Sequence, residues 1–233
     1  MSKYKRVLLK VSGETLSTEN GYGIDQNKVD LLCDQLIRAH KTGVEIGIVV
    51  GGGNIWRGRL APEMDRTTAD HMGMLATVIN ALALQDALER KGVPTRVQTA
   101  LEMPRIAEPY ILRRTIRHLE KGRIVIFGCG TGNPYFSTDS GAALRACEIH
   151  ADVLLMAKNI DGIYTADPKI DKTAKKIEHM SYLEYIQQNL KAVDVAAVSM
   201  CNDYKLPIVA FGIQEKDSIY KALTGEVFGT RID

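Results

Sequence analysis

Hydrophobic positions along the chain fall into two alternating patterns. Short runs rich in Val, Ile and Leu predict strands at residues 7–11, 46–50, 93–99, 124–127, 153–156 and 208–211. Between them, apolar residues recur at helical spacing, as at Val29, Leu32 and Leu36. Strands that alternate with helices indicate a mostly parallel sheet covered on both faces. We therefore predict an α/β fold, with three α/β/α layers around a mostly parallel central sheet, in a single domain over residues 1–233.

One predicted helix, residues 69–91, is unusually apolar. It carries no charged residue within residues 72–84, which makes it too apolar for a surface helix and too short for a membrane span. Apolar side chains lie on several faces, since Leu75 and Ile79 form a stripe away from Met74. This pattern favours a subunit interface over the alternative, burial in the core of one chain alone.

The composition is that of an ordinary globular protein, with 45% hydrophobic and 25% charged residues among 233. A net charge of +2 gives no reason to expect nucleic acid or a membrane surface as the main partner. The four cysteines form no C-x-x-C pair, so we expect buried free thiols rather than a zinc site or disulfides. Residues 1–6 are polar and show no signal sequence, and we expect a cytoplasmic protein.

The strongest chemical signal is at residues 127–140, which read F-G-C-G-T-G-N-P-Y-F-S-T-D-S between a predicted strand and a predicted helix. Gly128, Gly130 and Gly132 allow backbone amides to approach a ligand, because glycine has no Cβ. The hydroxyl and carboxylate side chains that follow suit the beginning of a helix, where an anion is favoured. Taken alone, the loop fits a phosphate cradle and a tight β–α turn equally well.

Two further predicted strands end in similar loops. The first runs into Ser12 and Gly13, and the second runs into three glycines at residues 51–53 with Arg57 close behind. Because ligands of parallel α/β sheets bind at the carboxyl ends of strands, three such loops favour phosphate binding over turn geometry alone. A Walker A loop is excluded because no Gly-Lys pair is present. A dinucleotide fingerprint is excluded because Asn133 stands at its third glycine position.

Five segments carry a more specific pattern. They read K-V-S-G-E at 10–14, G-G-G-N-I-W-R-G at 51–58, D-H-M-G-M-L-A-T at 70–77, G-T-G-N-P-Y-F at 130–136 and D-G-I-Y-T-A-D-P at 161–168. Together they resemble the bacterial uridylate (UMP) kinases of the amino acid kinase superfamily. The first two segments are shared across the superfamily, whereas the third and fourth are specific to its UMP kinases. The resemblance covers essentially the whole chain and implies an amino acid kinase-like fold.

The resemblance implies transfer of the γ-phosphate of ATP to UMP, giving ADP and UDP for pyrimidine nucleotide (CTP) synthesis, with Mg²⁺ as cofactor. The acceptor phosphate has a second pKa of about 6 and is already mostly dianionic, so no general base is needed. The resemblance also implies activation by GTP, inhibition by UTP and a homohexamer built as a trimer of dimers. The segment that matches the family's GTP-linked region comprises Thr18, Glu19, Asn20, Gly21, Tyr22 and Gly23.

Site residues follow from the same resemblance. It assigns catalysis to Lys10, Asp139 and Lys158, with Asp139 orienting the two lysines. The implied ATP-binding residues are Lys10, Val11, Ser12, Gly13, Gly53, Arg57, Asn159, Tyr164 and Asp167. The implied UMP-binding residues are Gly52, Asp70, Thr131, Gly132, Asn133, Pro134, Tyr135, Phe136, Ser137 and Thr138. No metal ligands are assigned. Without the resemblance, Asp70 would be interpreted as a charge near a helix N-terminus and Asp167 as part of a turn.

The sequence leaves two questions open. Lys158 lies three residues before Asp161, a spacing that differs from that in relatives, so its reach to the phosphates is undecided. Two other functions also stay open, namely phosphorylation of a small carboxylate or carbamate, and uridine nucleotide sensing without turnover. Asp70 and the loop G-T-G-N-P-Y-F argue against the first, and the retained Lys10, Asp139 and Lys158 argue against the second.

Overall fold

A computed structural model of the protein describes residues 2–58, 63–166, 168, 170–226 and 228–233. The strands are β1 (Arg6–Val11), β2 (Glu45–Val50), β3 (Thr95–Thr99), β4 (Glu108–Pro109), β5 (Ile124–Gly128), β6 (Val153–Lys158), β7 (Ile163–Tyr164), β8 (Lys176–Ile177), β9 (His179–Met180), β10 (Ile208–Gly212) and β11 (Thr230–Ile232). The helices are α1 (Gln26–His40), α2 (Arg66–Arg90), α3 (Leu112–Glu120), α4 (Thr138–Glu148), α5 (Tyr182–Gln187), α6 (Val195–Tyr204) and α7 (Ser218–Thr224). A short 3₁₀ helix, Gly13–Leu16, follows β1.

The described strands form a nine-stranded sheet in the order β4-β3-β5-β2-β1-β6-β10-β11-β9. Its strand pairs are parallel except for β10 and β11, which run antiparallel. Strand β1 is central, between β2 and β6, so the carboxyl ends of these three strands meet at one edge. Strands β7 and β8 form a separate antiparallel pair. The predicted α/β fold with a mostly parallel sheet is confirmed.

Two helical layers cover the sheet, and the alternation of side chains along β1 shows which layer each residue faces. Val7 and Leu9 pack in the core that contains α1, α2 and α7. Leu8 packs in the opposite core, with residues of α4, α5 and α6. Because side chains alternate along a strand, Lys10 faces the same layer as Leu8. This places Lys10 at the beginning of α4, where it meets a carboxylate.

The main helices begin where a side chain can cap them. Asp25 precedes α1, Asp65 precedes α2 and Ser137 precedes α4, and each accepts a hydrogen bond from a backbone N–H of the first turn. The long helix α2 therefore begins at Arg66, one turn before the predicted start at residue 69. The sequence analysis did not predict the short strands β4, β7, β8, β9 and β11. Each has only two or three residues, which is too few to show a periodic pattern of hydrophobic positions.

Helix α2 divides its apolar side chains between the core and the surface. Met74, Val78 and Leu84 are buried, whereas Leu75 and Ile79 are 51% and 49% exposed. The predicted apolar stripe is thus uncovered in the single chain. Within the described part of the sequence, no helix combines the length and apolar character that a membrane crossing requires.

The cysteines are free thiols, as predicted. Cys33, Cys129 and Cys201 are buried and Cys147 is partly buried. Burial raises the pKa of Cys33 and of Cys201 to about 12. Both thiols therefore stay protonated and poorly reactive near neutral pH.

Candidate active site

A carboxylate held between two lysines lies at the carboxyl edge of the central strands. Asp139, in the first turn of α4, accepts Lys10 Nζ at 2.8 Å on Oδ1 and Lys158 Nζ at 3.2 Å on Oδ2. Lys10 lies in β1 and Lys158 ends the neighbouring strand β6. All three side chains are largely buried. The structure thus brings together the three residues predicted for catalysis and places Lys158 against Asp139.

Burial and charge act against each other in this cluster. Burial raises the pKa of the Asp139 carboxyl, but the charges and hydrogen bonds of Lys10 and Lys158 outweigh it and lower that pKa to about 2. Burial lowers the pKa of Lys158, and so does the charge of Lys10, while Asp139 acts in the opposite direction. Two ammonium groups against one carboxylate leave a net positive charge, which suits the binding of a phosphate.

The β1 loop (residues 12–16) and the β2 loop (residues 51–58) pack directly on each other. The Gly51 N–H donates to the carbonyl of Val11 at 3.0 Å. A Cβ on Gly13 would overlap the side-chain oxygen of Asn54 and the carbonyl of Gly51, so only glycine fits there. The Ser12 hydroxyl caps the 3₁₀ helix by accepting a backbone N–H. This close packing accounts for the Ser-Gly sequence at the end of β1.

Glu14 connects two of the predicted ATP-binding residues. Its Oε1 accepts Arg57 Nη2 at 2.9 Å, and its Oε2 accepts Asn159 Nδ2 at 3.4 Å. Arg57 also donates through Nε to the carbonyl of Gly53 at 2.7 Å. Glu14, Arg57 and Asn159 line a cavity of about 640 Å³ that reaches Ile213 beyond β10. The sequence showed Glu14 only as part of a motif, and its position between the two loops comes from the structure.

Tyr164 lies apart from Asn159, although both were predicted to bind the adenine and ribose of ATP. Tyr164, in β7, donates its hydroxyl to Asp161 at 2.8 Å. It lines a separate cavity of about 530 Å³, whereas Asn159 lines the cavity beside Glu14. The third residue predicted for this role, Asp167, lies outside the described residues.

The 129–138 loop, which follows β5, faces α2 and the β2 loop across a cavity of about 250 Å³. Gly52 approaches α2 there so closely that a Cβ would lie 2.8 Å from the side chain of Ala76. The predicted UMP-binding residues that line this cavity are Gly52, Asp70, Thr131, Phe136, Ser137 and Thr138. The other four predicted residues belong to the same loop and are Gly132, Asn133, Pro134 and Tyr135.

Asp70 connects α2 to the 129–138 loop. Its carboxylate accepts the Tyr135 N–H at 2.8 Å and Arg66 Nε at 2.9 Å. Arg66 also lies over the Tyr135 ring, 5.6 Å from its centroid. Tyr135 and Cys129 adopt positive φ angles of 70° and 65°, an uncommon conformation that clusters at functional sites. The Tyr135 and Phe136 side chains are 69% and 57% exposed.

A further cavity, of about 730 Å³, is lined both by residues predicted to bind ATP and by residues predicted to bind UMP. Glu14 and Arg57 line it from the β1 and β2 loops, and Asp70 and Thr138 line it from the opposite side. Thr138 directly precedes Asp139, so this cavity and the cluster of Lys10, Asp139 and Lys158 both adjoin the first turn of α4. The site can therefore hold two anionic groups against fixed positive charge, which is the requirement of phosphoryl transfer.

Three polar residues that the sequence analysis did not single out support these loops. Asp194, the cap of α6, accepts the Ser137 hydroxyl at 2.5 Å. In α2, Thr77 accepts the first N–H of the 129–138 loop at 2.8 Å, and Asn80 donates to the carbonyl of Gly51 at 2.7 Å. Thr77 and Asn80 could have been found from the sequence, since they are polar residues inside an otherwise apolar helix. Buried polar groups are hydrogen-bonded, so two such residues indicate partners outside the helix. No comparable signal marks Asp194.

Comparison with known proteins places this geometry in a family. The model of the amino acid kinase family matches residues 5–211. The solved UMP kinase from Bacillus anthracis is 39% identical, with a TM-score of 0.95 over 99% of this chain and 96% of that one. The UMP kinase from Ureaplasma parvum is 37% identical, with a TM-score of 0.93 over 99% of both chains. The uridylate kinase from Archaeoglobus fulgidus is 28% identical, with a TM-score of 0.74 over 100% of both chains. The chain belongs to the amino acid kinase family.

Proposed function

We propose that this chain is a UMP kinase, a nucleoside monophosphate kinase that reversibly transfers the γ-phosphate of ATP to UMP in pyrimidine nucleotide synthesis. The solved UMP kinases that are 39% and 37% identical over nearly the whole chain support this proposal. The observation that carries it is the buried cluster in which Asp139 pairs with both Lys10 and Lys158 at the first turn of α4, where Thr138 lines the cavity of about 730 Å³.

The chemistry requires positioning and charge neutralisation rather than proton abstraction. An oxygen of the UMP phosphate attacks the γ-phosphorus of ATP, and the bond to the bridging oxygen breaks to release ADP. Lys10 and Lys158 offset the negative charge that gathers between the two nucleotides. Asp139 holds both ammonium groups in place through its two ion pairs.

The cavities suggest where each nucleotide binds. We assign UMP to the cavity of about 250 Å³, where the Asp70 carboxylate would accept a ribose hydroxyl and the 129–138 loop would enclose the base and phosphate. We assign the ATP phosphates to the β1 and β2 loops, with Arg57 and Asn159 in the cavity of about 640 Å³. The shared cavity between them is then the place of transfer.

Mg²⁺ would accompany ATP. In nucleotide sites this ion is usually bound by one or two carboxylates together with phosphate oxygens and water. Glu14 and Asp139 are carboxylates of this site that could serve, although each is already paired with a cation. Among the described residues, the active site included, no three His, Cys, Asp or Glu side chains gather to hold a metal. When bound, the ion would neutralise the β- and γ-phosphates.

The resemblance to UMP kinases extends the proposal to assembly, regulation and location. We propose a cytoplasmic homohexamer, a trimer of dimers, activated by GTP and inhibited by UTP. The exposed Leu75 and Ile79 support an interface along α2. A contact between residues 18–23 and the β2 loop supports regulation by GTP, because the Gly23 N–H donates to the carbonyl of Asn54 at 2.8 Å.

A coupled assay of ADP release separates this function from its alternatives. The protein is supplied with ATP and Mg²⁺ and with UMP, CMP, glutamate or carbamate as the acceptor. We expect turnover with UMP above all. Turnover with CMP, glutamate or carbamate but not with UMP would contradict the proposal. No turnover with any acceptor, together with UMP or UTP binding, would favour the nucleotide sensor.

A further inference from the structure

Two buried asparagine side chains, Asn54 of the β2 loop and Asn80 of α2, bond to each other and are here called the asparagine pair. Asn54 Nδ2 donates to Asn80 Oδ1 at 3.0 Å, and Asn80 Nδ2 donates to Asn54 Oδ1 at 2.7 Å. Both residues are fully buried. Burial of two amides is costly unless their polar atoms are bonded, so such a pair indicates a requirement beyond filling space.

The remaining amide hydrogens of the asparagine pair bond to backbone carbonyls. Asn80 donates to Gly51 at 2.7 Å, and Asn54 donates to Gly23 at 2.8 Å. The Gly23 N–H in return donates to the carbonyl of Asn54 at 2.8 Å. All four side-chain N–H groups of the pair are therefore used. A closed network of this kind fixes the relative positions of the segments that it joins.

The segments joined in this way are those that surround the proposed ATP phosphates. Gly13 of the β1 loop lies against the side-chain oxygen of Asn54, where any Cβ would overlap it. Residues 18–23 are tied to the same loop through Gly23. Helix α2, which carries Asn80, also carries Asp70 on the proposed UMP side. Helix α2 thus contacts the proposed ATP site through Asn80 and the proposed UMP site through Asp70.

We propose that Asn80 is a positioning residue for phosphoryl transfer. Acting through Asn54 and the Gly51 carbonyl, it fixes the triple glycine against Gly13, and through Asn54 it couples residues 18–23 to that loop. This inference rests on the proposed function, since the reaction that Asn80 serves is the transfer from ATP to UMP. Asn80 itself does not enter the space between the nucleotides, and its effect passes through the backbone of the β2 loop.

Kinetics of variants at the asparagine pair test this role. In Asn80→Ala we expect kcat to fall on the order of 10- to 100-fold, the effect of a small misplacement of reacting groups. The KM for ATP should rise while the KM for UMP stays near that of the wild type. Asn80→Leu keeps about the size of the side chain but has neither hydrogen-bonding atoms nor a charge, so a similar loss there would show that hydrogen bonding matters rather than volume.

Two comparisons give these kinetics a matched control. Asn54→Ala combined with Asn80→Ala should be no slower than the slower single variant, because both changes break the same network. Thr115→Ala removes another buried hydroxyl, which donates to Gln98 at 2.5 Å outside the loops. It should keep the wild-type kcat even if its thermal stability falls. Additive losses at the two asparagines, or an equal loss of kcat in Thr115→Ala, would overturn the proposal.

Amide hydrogen exchange tests the same network without any substrate. In Asn80→Ala the Gly23 amide should exchange about 10-fold faster than in the wild type, the scale set by loss of a hydrogen bond, and Thr115→Ala should leave it unchanged. Unchanged exchange at Gly23 and residues 51–54, with normal kcat, would overturn the positioning role. If the wild type makes no UDP, the proposed function fails, while the exchange result still decides whether the asparagine pair holds residues 18–23.

Discussion

The β1 and β2 loops and the 129–138 loop border one cavity but are braced differently. The first two are bonded to each other by the ion pair of Arg57 with Glu14, and the buried asparagine pair bonds the β2 loop to α2 and to Gly23. In the 129–138 loop, Thr131 and Asn133 bond to each other. The tip of that loop carries exposed aromatic side chains and reaches α2 through Asp70.

This difference separates catalysis from recognition in the proposed reaction. Stabilisation of developing charge works best with groups that are fixed beforehand, and the buried Lys10 and Lys158 meet that condition. Recognition of the acceptor depends on a loop that is anchored at its two ends by Thr77 and Asp194 but exposes the aromatic side chains of its tip. We therefore expect changes at the buried cluster to lower kcat, and changes at the anchor of the 129–138 loop to raise the KM for UMP.

The largest effect is expected when Lys10 is removed from the buried cluster. Lys10→Ala should lower kcat by at least about 100-fold, the scale on which loss of one charge-stabilising group acts. Steady-state rates with saturating ATP and UMP provide the measurement. Lys41→Ala, at an exposed lysine that follows α1, should keep the wild-type rate. A near-normal rate for Lys10→Ala would remove Lys10 from the mechanism.

Removal of the carboxylate between the lysines should change the pH dependence as well as the rate. In Asp139→Asn we expect kcat to fall about 10-fold or more. Asp139 opposes the effect of burial on the pKa of Lys158, so without it that pKa falls further below its usual value. Lys158 then loses its proton at lower pH, and the alkaline decline of kcat should begin at lower pH in the variant. An unchanged or upward-shifted alkaline limb would show that Lys158 does not titrate in the reaction.

On the recognition side, Asp70→Asn should raise the KM for UMP by about 10-fold, because a hydrogen bond to a charged group is worth about 1.5–3 kcal/mol. The kcat should change little. Asp86→Asn is a matched control, because Asp86 forms the same kind of ion pair with Arg90 on the same helix. Steady-state titration of each nucleotide measures the effect. An unchanged KM for UMP with a raised KM for ATP would show that the two nucleotide sites are assigned in reverse.

The smallest expected effect concerns acid stability. The pKa of Asp139 in the folded protein is about 2, below its ordinary value of 3.8, so its contribution to stability is present above about pH 4 and is lost as pH falls toward 2. Between about pH 6 and about pH 3 the wild type should lose on the order of 1 kcal/mol more unfolding free energy than Asp139→Asn. Urea unfolding at the two pH values measures this difference. Equal losses in the two proteins would contradict the lowered pKa.

Much of the fold and part of the site could be predicted from the sequence, because short stretches of neighbouring residues determine them. The run at residues 7–11 marked β1, and the hydroxyl-rich stretch after Phe136 marked the beginning of α4. Glycine clusters marked the ends of β2 and β5, and the Ser-Gly pair marked the end of β1. The placement of Lys10 opposite Asp139 then follows from side-chain alternation and from the resemblance to a known family.

The partners that brace these loops were not readable, because they lie far apart in the chain. Asn54 and Asn80 are separated by 26 positions, and Ser137 and Asp194 by 57. The position of Lys158 depends on the pairing of β6 with β1, which no local pattern encodes. Such contacts follow from strand order and helix packing, and only the folded chain reveals them.

Product analysis of the wild type and of Lys10→Ala tests most directly whether the Lys10–Asp139–Lys158 cluster transfers phosphate from ATP to UMP. Each protein is incubated with ATP, Mg²⁺ and UMP, and the nucleotides are separated and quantified. We expect the wild type to form UDP and ADP in equal amounts, and Lys10→Ala to form both at least about 100-fold more slowly. ADP without UDP in the wild type, or undiminished UDP formation by Lys10→Ala, would contradict this assignment.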